Sequence, residues 1–280
     1  MTDIHLAIAV VVTLSAAAGV SAYRVARRGR RPVVLASAAV CVAALVLNVA
    51  YWRHSLWPAR VWPYPNLIVF ADPNPLLVGL LAGLAAAAMP GAPWRRAVLL
   101  APLAGLCVWG SYAPLFARPP ELHNTWRRGV CRQTSPASCG PAAAATLLAA
   151  HGIRTSEQEM ARLCLTSPHG TSARGIYRGL ALKTADTPLR VEPFHGDIEA
   201  LRNAGGPVLL TARLDLRPGV DPRYHQEWGW VPGVPHTVVV FRALDNDLFD
   251  VGDPAAGREL WNRRALETLW HGEGLRLVPR

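Results

Sequence analysis

Four apolar runs, each near membrane-crossing length, occupy the first 116 of the chain's 280 residues, and they restrict what it can fold into more than any other feature. Ile4–Tyr23 carries no formal charge over its length. At 1.5 Å per residue such a helix crosses a ~30 Å hydrocarbon core. Val33–Tyr51 is the second run and Ala97–Phe116 the fourth. The third, Pro75–Met89, is short. Extending it back to Leu67 takes in Asp72, Pro73 and Pro75, so a tilted or partly re-entrant segment is an open outcome there. A cleaved signal peptide is the rival for the first run, since Val20-Ser21-Ala22 resembles a cleavage site. The start MTDIH lacks a basic n-region, however, and the arginines Arg24, Arg27, Arg28, Arg30 and Arg31 follow the run instead. A buried soluble bundle is the other rival, and Arg- and Pro-rich loops between the runs argue against it.

A formal charge of +10 and a pI near 10.1 would by themselves suggest a nucleic-acid partner. Residues 1–116 hold nine Arg and two Asp with no Lys or Glu, a net of +7; residues 117–280 hold the other 20 basic and 17 acidic residues, a net of +3. Most of the excess flanks apolar runs, so the expected partner is a lipid bilayer and no nucleic acid. Trp52, Trp57, Trp62 and Tyr64 in the loop after the second run suit a membrane interface. The loops after runs one and three carry five and two Arg (the latter Arg95 and Arg96), and the loop after run two carries Arg53 and Arg60. With the first helix dominant, both termini are expected on the extracytoplasmic side; Arg127, Arg128 and Arg132 oppose this but lead into a folded domain.

Residues 117–280 are long enough for one core. A helix is expected from Cys139 to near Gly152, a second from the capping box Ser156–Glu159 through Cys164, and a third capped by Thr171 or Ser172 and running to about Thr184. Strands follow at Leu189–Phe194, Pro207–Leu214, His236–Leu244, Leu248–Gly252 and Leu275–Val278, with helices at Asp197–Ala204 and Asn262–Trp270. Helices first and antiparallel strands later is an α+β pattern.

One constellation carries chemistry. Cys139 opens a helix, where the macrodipole favours thiolate. His236 opens a strand and can exchange a proton with that thiol. Asp253, just past the next strand, can fix the imidazole tautomer. Gln133, six residues before Cys139, can point an amide N–H at an oxyanion. Gly140 and its small neighbours leave room for a substrate carbonyl. His225 is the rival base and Asp250 the rival acid. In the stretch Asp215–Pro235, Tyr224, Trp228 and Trp230 are candidates to line a substrate groove. With no HExxH or CxxC pair, no metal or cofactor is expected. Cys131 and Cys164 are either a disulfide or buried free thiols.

The blocks QTSPASCGPAA, SEQEMARLC with GTSARGIYRGL, and PHTVVVF with VGDP resemble the peptidase C39 and C39-like group of papain-like cysteine peptidases, over Arg132–Gly257. The resemblance implies a papain-like α+β domain at 117–280, which follows the transmembrane region read at 1–116 from its apolar runs. It also implies a triad of Cys139, His236 and Asp253, with Gln133 in the oxyanion hole. Exporter-linked members of that group place the peptidase ahead of the membrane domain and an ATPase after it. Here the apolar runs come first and no G-x-x-x-x-G-K-[ST] motif occurs. The expectation is a membrane-anchored peptidase, in a bacterial-type cell membrane with its catalytic domain extracytoplasmic, acting on secreted or envelope-associated peptides or proteins. The alternatives are a non-catalytic peptide-binding accessory domain and a thiol amidase or acyltransferase.

Overall fold

The computed structural model describes residues 2–52, 55–116, 118–215 and 217–280. Arg53, counted above among the loop arginines, lies outside the described residues. The chain divides into two compact units, Met1–Ser55 with Asn66–Phe116, and Leu56–Pro65 with Ala117–Arg280.

The first unit is helical. It contains α1 (Thr2–Ala26) and α2 (Arg31–Leu47), the latter continuing as a π-helical turn over Asn48–Trp52. After α3 (Trp57–Val61), which belongs to the second unit, come α4 (Leu67–Phe70), α5 (Asn74–Ala88) and α6 (Pro93–Phe116). Four helices, Asp3–Ala26, Arg31–Trp52, Leu67–Ala88 and Pro93–Phe116, are long and apolar enough to cross a membrane. Leu6, Val25, Val40 and Leu106 on them are 67–72% exposed, which suits lipid and would not suit a soluble core.

Small residues weld α1 to α5. A Cβ on Gly79 would collide with the Ser15 carbonyl, and one on Gly83 with the Gly19 carbonyl, so the two backbones are in direct contact along a G-x-x-x-G face. The third apolar run is a broken helix that reaches back to Leu67. Pro73 and Pro75 lack the N–H groups that would continue α4 into α5. The break closes on polar groups: the Asp72 carboxylate accepts from the Asn74 N–H at 3.0 Å, and Asn48 Nδ2 donates to Asn74 Oδ1 at 2.8 Å. Asn48, Asp72 and Asn74 are all buried.

The second unit begins with a hairpin, β1 (Thr125–Arg127) and β2 (Val130–Arg132), turned by Arg128 and Gly129 at φ 50° and 78°. Then come α7 (Cys139–Ala150), α8 (Glu157–Leu163), α9 (Ala173–Lys183), β3 (Leu189–His195), α10 (Ile198–Arg202), β4 (Val208–Ala212) and α11 (Arg223–Gln226). The chain closes with β5 (His236–Ala243), β6 (Leu248–Asp253), β7 (Gly257–Asn262), α12 (Arg263–Leu269) and β8 (Trp270–Pro279). Six strands form one antiparallel sheet in the order β3-β8-β4-β5-β6-β7. This is the expected α+β class.

Local sequence explains most boundaries. Ser156, Ser172, Asp197 and Asn262 each accept a backbone N–H three residues on and start α8, α9, α10 and α12. The Ala-rich α7 is buried from Gly140 to Leu148 and packs on β5 and β2, its small side chains allowing close approach to the sheet. Leu210, Val238, Phe249 and Val251 of the sheet share a separate core with Ile198 and Leu201 of α10 and Leu266 of α12. Gly175 and Gly179 let α9 approach α8: a Cβ on either would collide with Cys164. Cys131 and Cys164 are buried free thiols, so the disulfide alternative falls. The segment Leu56–Pro65 lies in this unit, with α3 against β3, an edge strand of the sheet. Leu56 and Ala59 are buried there.

Candidate active site

His236 is the first residue of β5 and Asp253 the last of β6. These strands are antiparallel neighbours, so the two residues lie at the same end of the sheet. His236 Nε2 and Asp253 Oδ1 are 2.9 Å apart. The other ring nitrogen, Nδ1, is thereby left to face the Cys139 thiol, and each of the two groups favours the charged form of the other. Cys139 stands at the start of α7, whose N-terminus no side chain caps. Its unused N–H groups therefore add to the positive field around the sulfur.

The electrostatics follow from these contacts. Burial opposes ionisation of Cys139, but His236 and the Thr237 N–H and hydroxyl outweigh it, holding the thiol below its ordinary value. Burial likewise opposes charge on His236, and the hydrogen bonds and charges of Asp253 and Cys139 overcome it, raising the imidazole well above its usual range. Asp253 is buried too, yet His236 and the Ala255 and Ala256 N–H groups keep its carboxyl low. The result favours a thiolate–imidazolium pair braced by a carboxylate. Cys131 and Cys164 behave oppositely: burial, aided by the Glu157 charge at Cys131, pushes both up to about 12.

Asp253 sits in a built turn. Its Oδ1 accepts from the Ala255 N–H at 2.6 Å and the Ala256 N–H at 3.2 Å. Arg132 clamps the same turn, donating to the carbonyls of Pro254, Ala255 and Ala256. The Gln133 N–H bonds the Pro254 carbonyl at 3.0 Å, so β2 leads Gln133 directly to the acid's turn. The Gln133 amide is loosely held: Nε2 reaches Ser135 O at 3.3 Å, and buried Oε1 has no partner among the described residues. One residue on, Thr134 is fixed by buried Glu157, which accepts its N–H at 2.9 Å and its hydroxyl at 2.7 Å. Ser135 and Ser138 brace the rest of this loop against α7 through reciprocal bonds of 2.9–3.1 Å.

The rivals to the triad are spent elsewhere. Asp250 is held by Arg258 through two hydrogen bonds of 2.6 and 2.7 Å. His225 lies exposed on α11, while His236 meets the thiol. Gly140 follows Cys139 at the start of α7. It is buried, and a Cβ there would come within 3.0 Å of Ile176 and Thr171, so its smallness serves the packing of α7 on α9.

Tyr224, Trp228 and Trp230 are brought together. Tyr224 meets Trp228 edge-on at 4.7 Å, and Trp230 meets the His236 ring edge-on at 5.5 Å. With Trp261, Glu227 and Asp253 they line a cavity of about 550 Å³ beside the acid. Sequence reasoning missed Thr237, Arg132 and Glu157. Arg132 and Glu157 read as ordinary surface charges in sequence, and only adjacency to His236 pointed to Thr237.

Residues 127–215 match the peptidase C39 family. The C39 segment contains Gln133 and Cys139; His236 and Asp253 lie beyond it and are joined to it by the geometry above. Three solved structures are similar. The peptidase domain of Streptococcus ComA, described as a bi-functional ABC transporter involved in a quorum-sensing pathway, is 19% identical over 54% of this chain and 98% of that one, with a TM-score of 0.42. The peptidase domain of Streptococcus mutans ComA is 18% identical over 54% and 99%, TM-score 0.37. A double glycine motif protease from an AMS/PCAT transporter, in complex with its leader peptide, is 16% identical over 59% and 96%, TM-score 0.40. A search of curated proteins gave no match.

Proposed function

We propose that this protein is a membrane-anchored cysteine peptidase, with residues 1–116 as the membrane region and 117–280 as the catalytic domain. The observation that carries the reading is the chain of contacts from Asp253 through His236 to Cys139 at the open N-terminus of α7. A binding module needs no nucleophile held as a thiolate, and this weighs against a purely accessory role.

In the proposed cycle Cys139 thiolate attacks a peptide carbonyl, forming the carbon–sulfur bond as the carbonyl π electrons move to oxygen. The Cys139 N–H and the Gln133 amide stabilise that oxyanion. His236 imidazolium gives its proton to the leaving amine as the carbon–nitrogen bond breaks, leaving a thioester. Neutral His236 then takes a proton from water, whose oxygen displaces the thiolate and releases the acid. Asp253 keeps the proton on Nε2 and so presents Nδ1 to sulfur throughout. Tyr224, Trp228 and Trp230 form the wall against which substrate lies, and the small Gly140 leaves room for its carbonyl at the start of α7.

The substrate we favour is a secreted or envelope peptide or protein presented at the same membrane surface, with the domain extracytoplasmic. The test is turnover of an unbiased peptide library by the full chain, with Cys139→Ala as control. Cleavage that survives Cys139→Ala, or none by the wild type, overturns the peptidase reading. A reporter fused after Arg280 that behaves as cytoplasmic overturns the orientation alone.

A further inference from the structure

The second unit has a cavity of about 440 Å³ that the proposed chemistry does not use. One wall is the edge strand β3 with the neighbouring β8, contributing Arg190, Glu192 and Arg276; the other is the Leu56–Pro65 segment, contributing Ala59, Arg60 and Pro63. Three guanidinium groups thus meet one carboxylate. Glu192 is already committed, accepting from Arg276 at 2.9 and 3.1 Å and lying 3.7 Å from Arg190. Arg60 is exposed and makes no hydrogen bond or ion pair among the described residues. The cavity therefore carries an uncompensated positive charge of two, suited to a phosphate that guanidinium groups can clamp with paired N–H donors.

Chain connectivity says which phosphates it meets. Arg60 lies eight residues after Trp52 and seven before Leu67, the ends of two apolar helices long enough to cross a bilayer. A chain extends at most ~3.6 Å per residue, so Arg60 stays within about 30 Å of both ends. Trp57, Trp62 and Tyr64 on the same segment are 51–65% exposed, the residue types that settle at the headgroup layer. We propose that this cavity seats the phosphate of an anionic lipid headgroup, tying the domain's edge strand to the membrane surface.

The test uses the full chain in nanodiscs of phosphatidylcholine mixed with phosphatidylglycerol, with retained lipid counted by native mass spectrometry. Wild type should retain phosphatidylglycerol in preference to phosphatidylcholine. Retention should fall about five-fold for each guanidinium removed in Arg60→Gln and Arg190→Gln, the change expected for ~1 kcal/mol per basic residue at an anionic surface. Both side chains are exposed, so these variants keep the fold. Arg154→Gln, at an exposed arginine elsewhere, should change nothing. Equal retention by Arg60→Gln/Arg190→Gln, or no preference between the two lipids, overturns the proposal. So does stabilisation of the detergent-solubilised chain by inorganic phosphate without retained phosphatidylglycerol, which would make this a site for a free anion.

Discussion

Gly79 and Gly83 in the helical unit and Gly175 and Gly179 in the C39-like unit share a spacing of four and a steric task, yet they work under different forces. In the membrane proposed for the first unit, apolar side chains gain nothing by leaving lipid for one another, so α1 and α5 would hold by backbone contact, which the glycines create. In water, burial drives α8 onto α9, and Gly175 and Gly179 only clear the volume that Cys164 and Met160 then fill. The units also treat charge differently. Asp72 sits at a helix break, bonded to the Asn74 N–H and to a neutral asparagine. Asp253 is set against a histidine that it charges.

If chemistry belongs to the second unit alone, Cys139→Ala should lower turnover by at least about 10⁴-fold. Cys41→Ala and Cys107→Ala in the helices should leave it intact. Loss of activity on either of the latter breaks the division of labour. Within the second unit, iodoacetamide near neutral pH should modify Cys139 at least ~10³ times faster than Cys131 or Cys164, which are pushed up to about 12 and inaccessible until the domain unfolds. The pH dependence has a definite sign. His236 is raised, so its contribution to stability is complete below its ordinary value and is lost as pH rises through the raised one. Cys139 and Asp253 are lowered, so theirs is present above their ordinary values and lost as pH falls through the lowered ones. Alkylation rate and thermal stability should therefore share a plateau across neutrality, and a Cys139 titrating near ~8.5 would remove the ion pair.

The glycine comparison is sharpened by two overpacking variants. Gly179→Leu should cost about 3 kcal/mol and lower the temperature at which peptidase activity is lost. Gly83→Leu should leave that temperature unchanged and instead speed proteolysis of the first unit. Gln133→Ala should reduce kcat about 10²-fold with little change in KM, as befits a donor used on the transition-state oxyanion. The smallest effect is expected at Trp230→Ala. Losing one edge-on aromatic contact with His236 should cost about 1 kcal/mol, a few-fold in turnover.

Where a side chain announces its own local bond, the sequence was readable. Ser156, Ser172, Asp197 and Asn262 mark helix starts because an oxygen three residues before an N–H is a local event. The His236 strand was legible through its apolar run, and the Asp253 strand through the turn residues Asp245, Asn246 and Asp247 just before it. β7 was not, because Arg258, Glu259 and Asn262 interrupt its alternation at the edge of the sheet. The β1–β2 hairpin hid behind a turn in which Arg128, not asparagine, takes positive φ. β8 began five residues early because Gly272 and Gly274 blur its pattern. Gly79-x-x-x-Gly83 was visible but only a partner helix gives it meaning. The clamp of Arg132 on the turn after Asp253 depends on residues more than a hundred apart, a distance that no local pattern records.

Leu56–Pro65 also sets an order of events. A ribosome finishes this strap, and the apolar helix after it, before any of β3 exists, so the strand that will need a neighbour is made after its neighbour. A fragment beginning at residue 117 would therefore display a bare row of N–H and C=O groups along β3, and in solution it should seek another copy of itself to cover them.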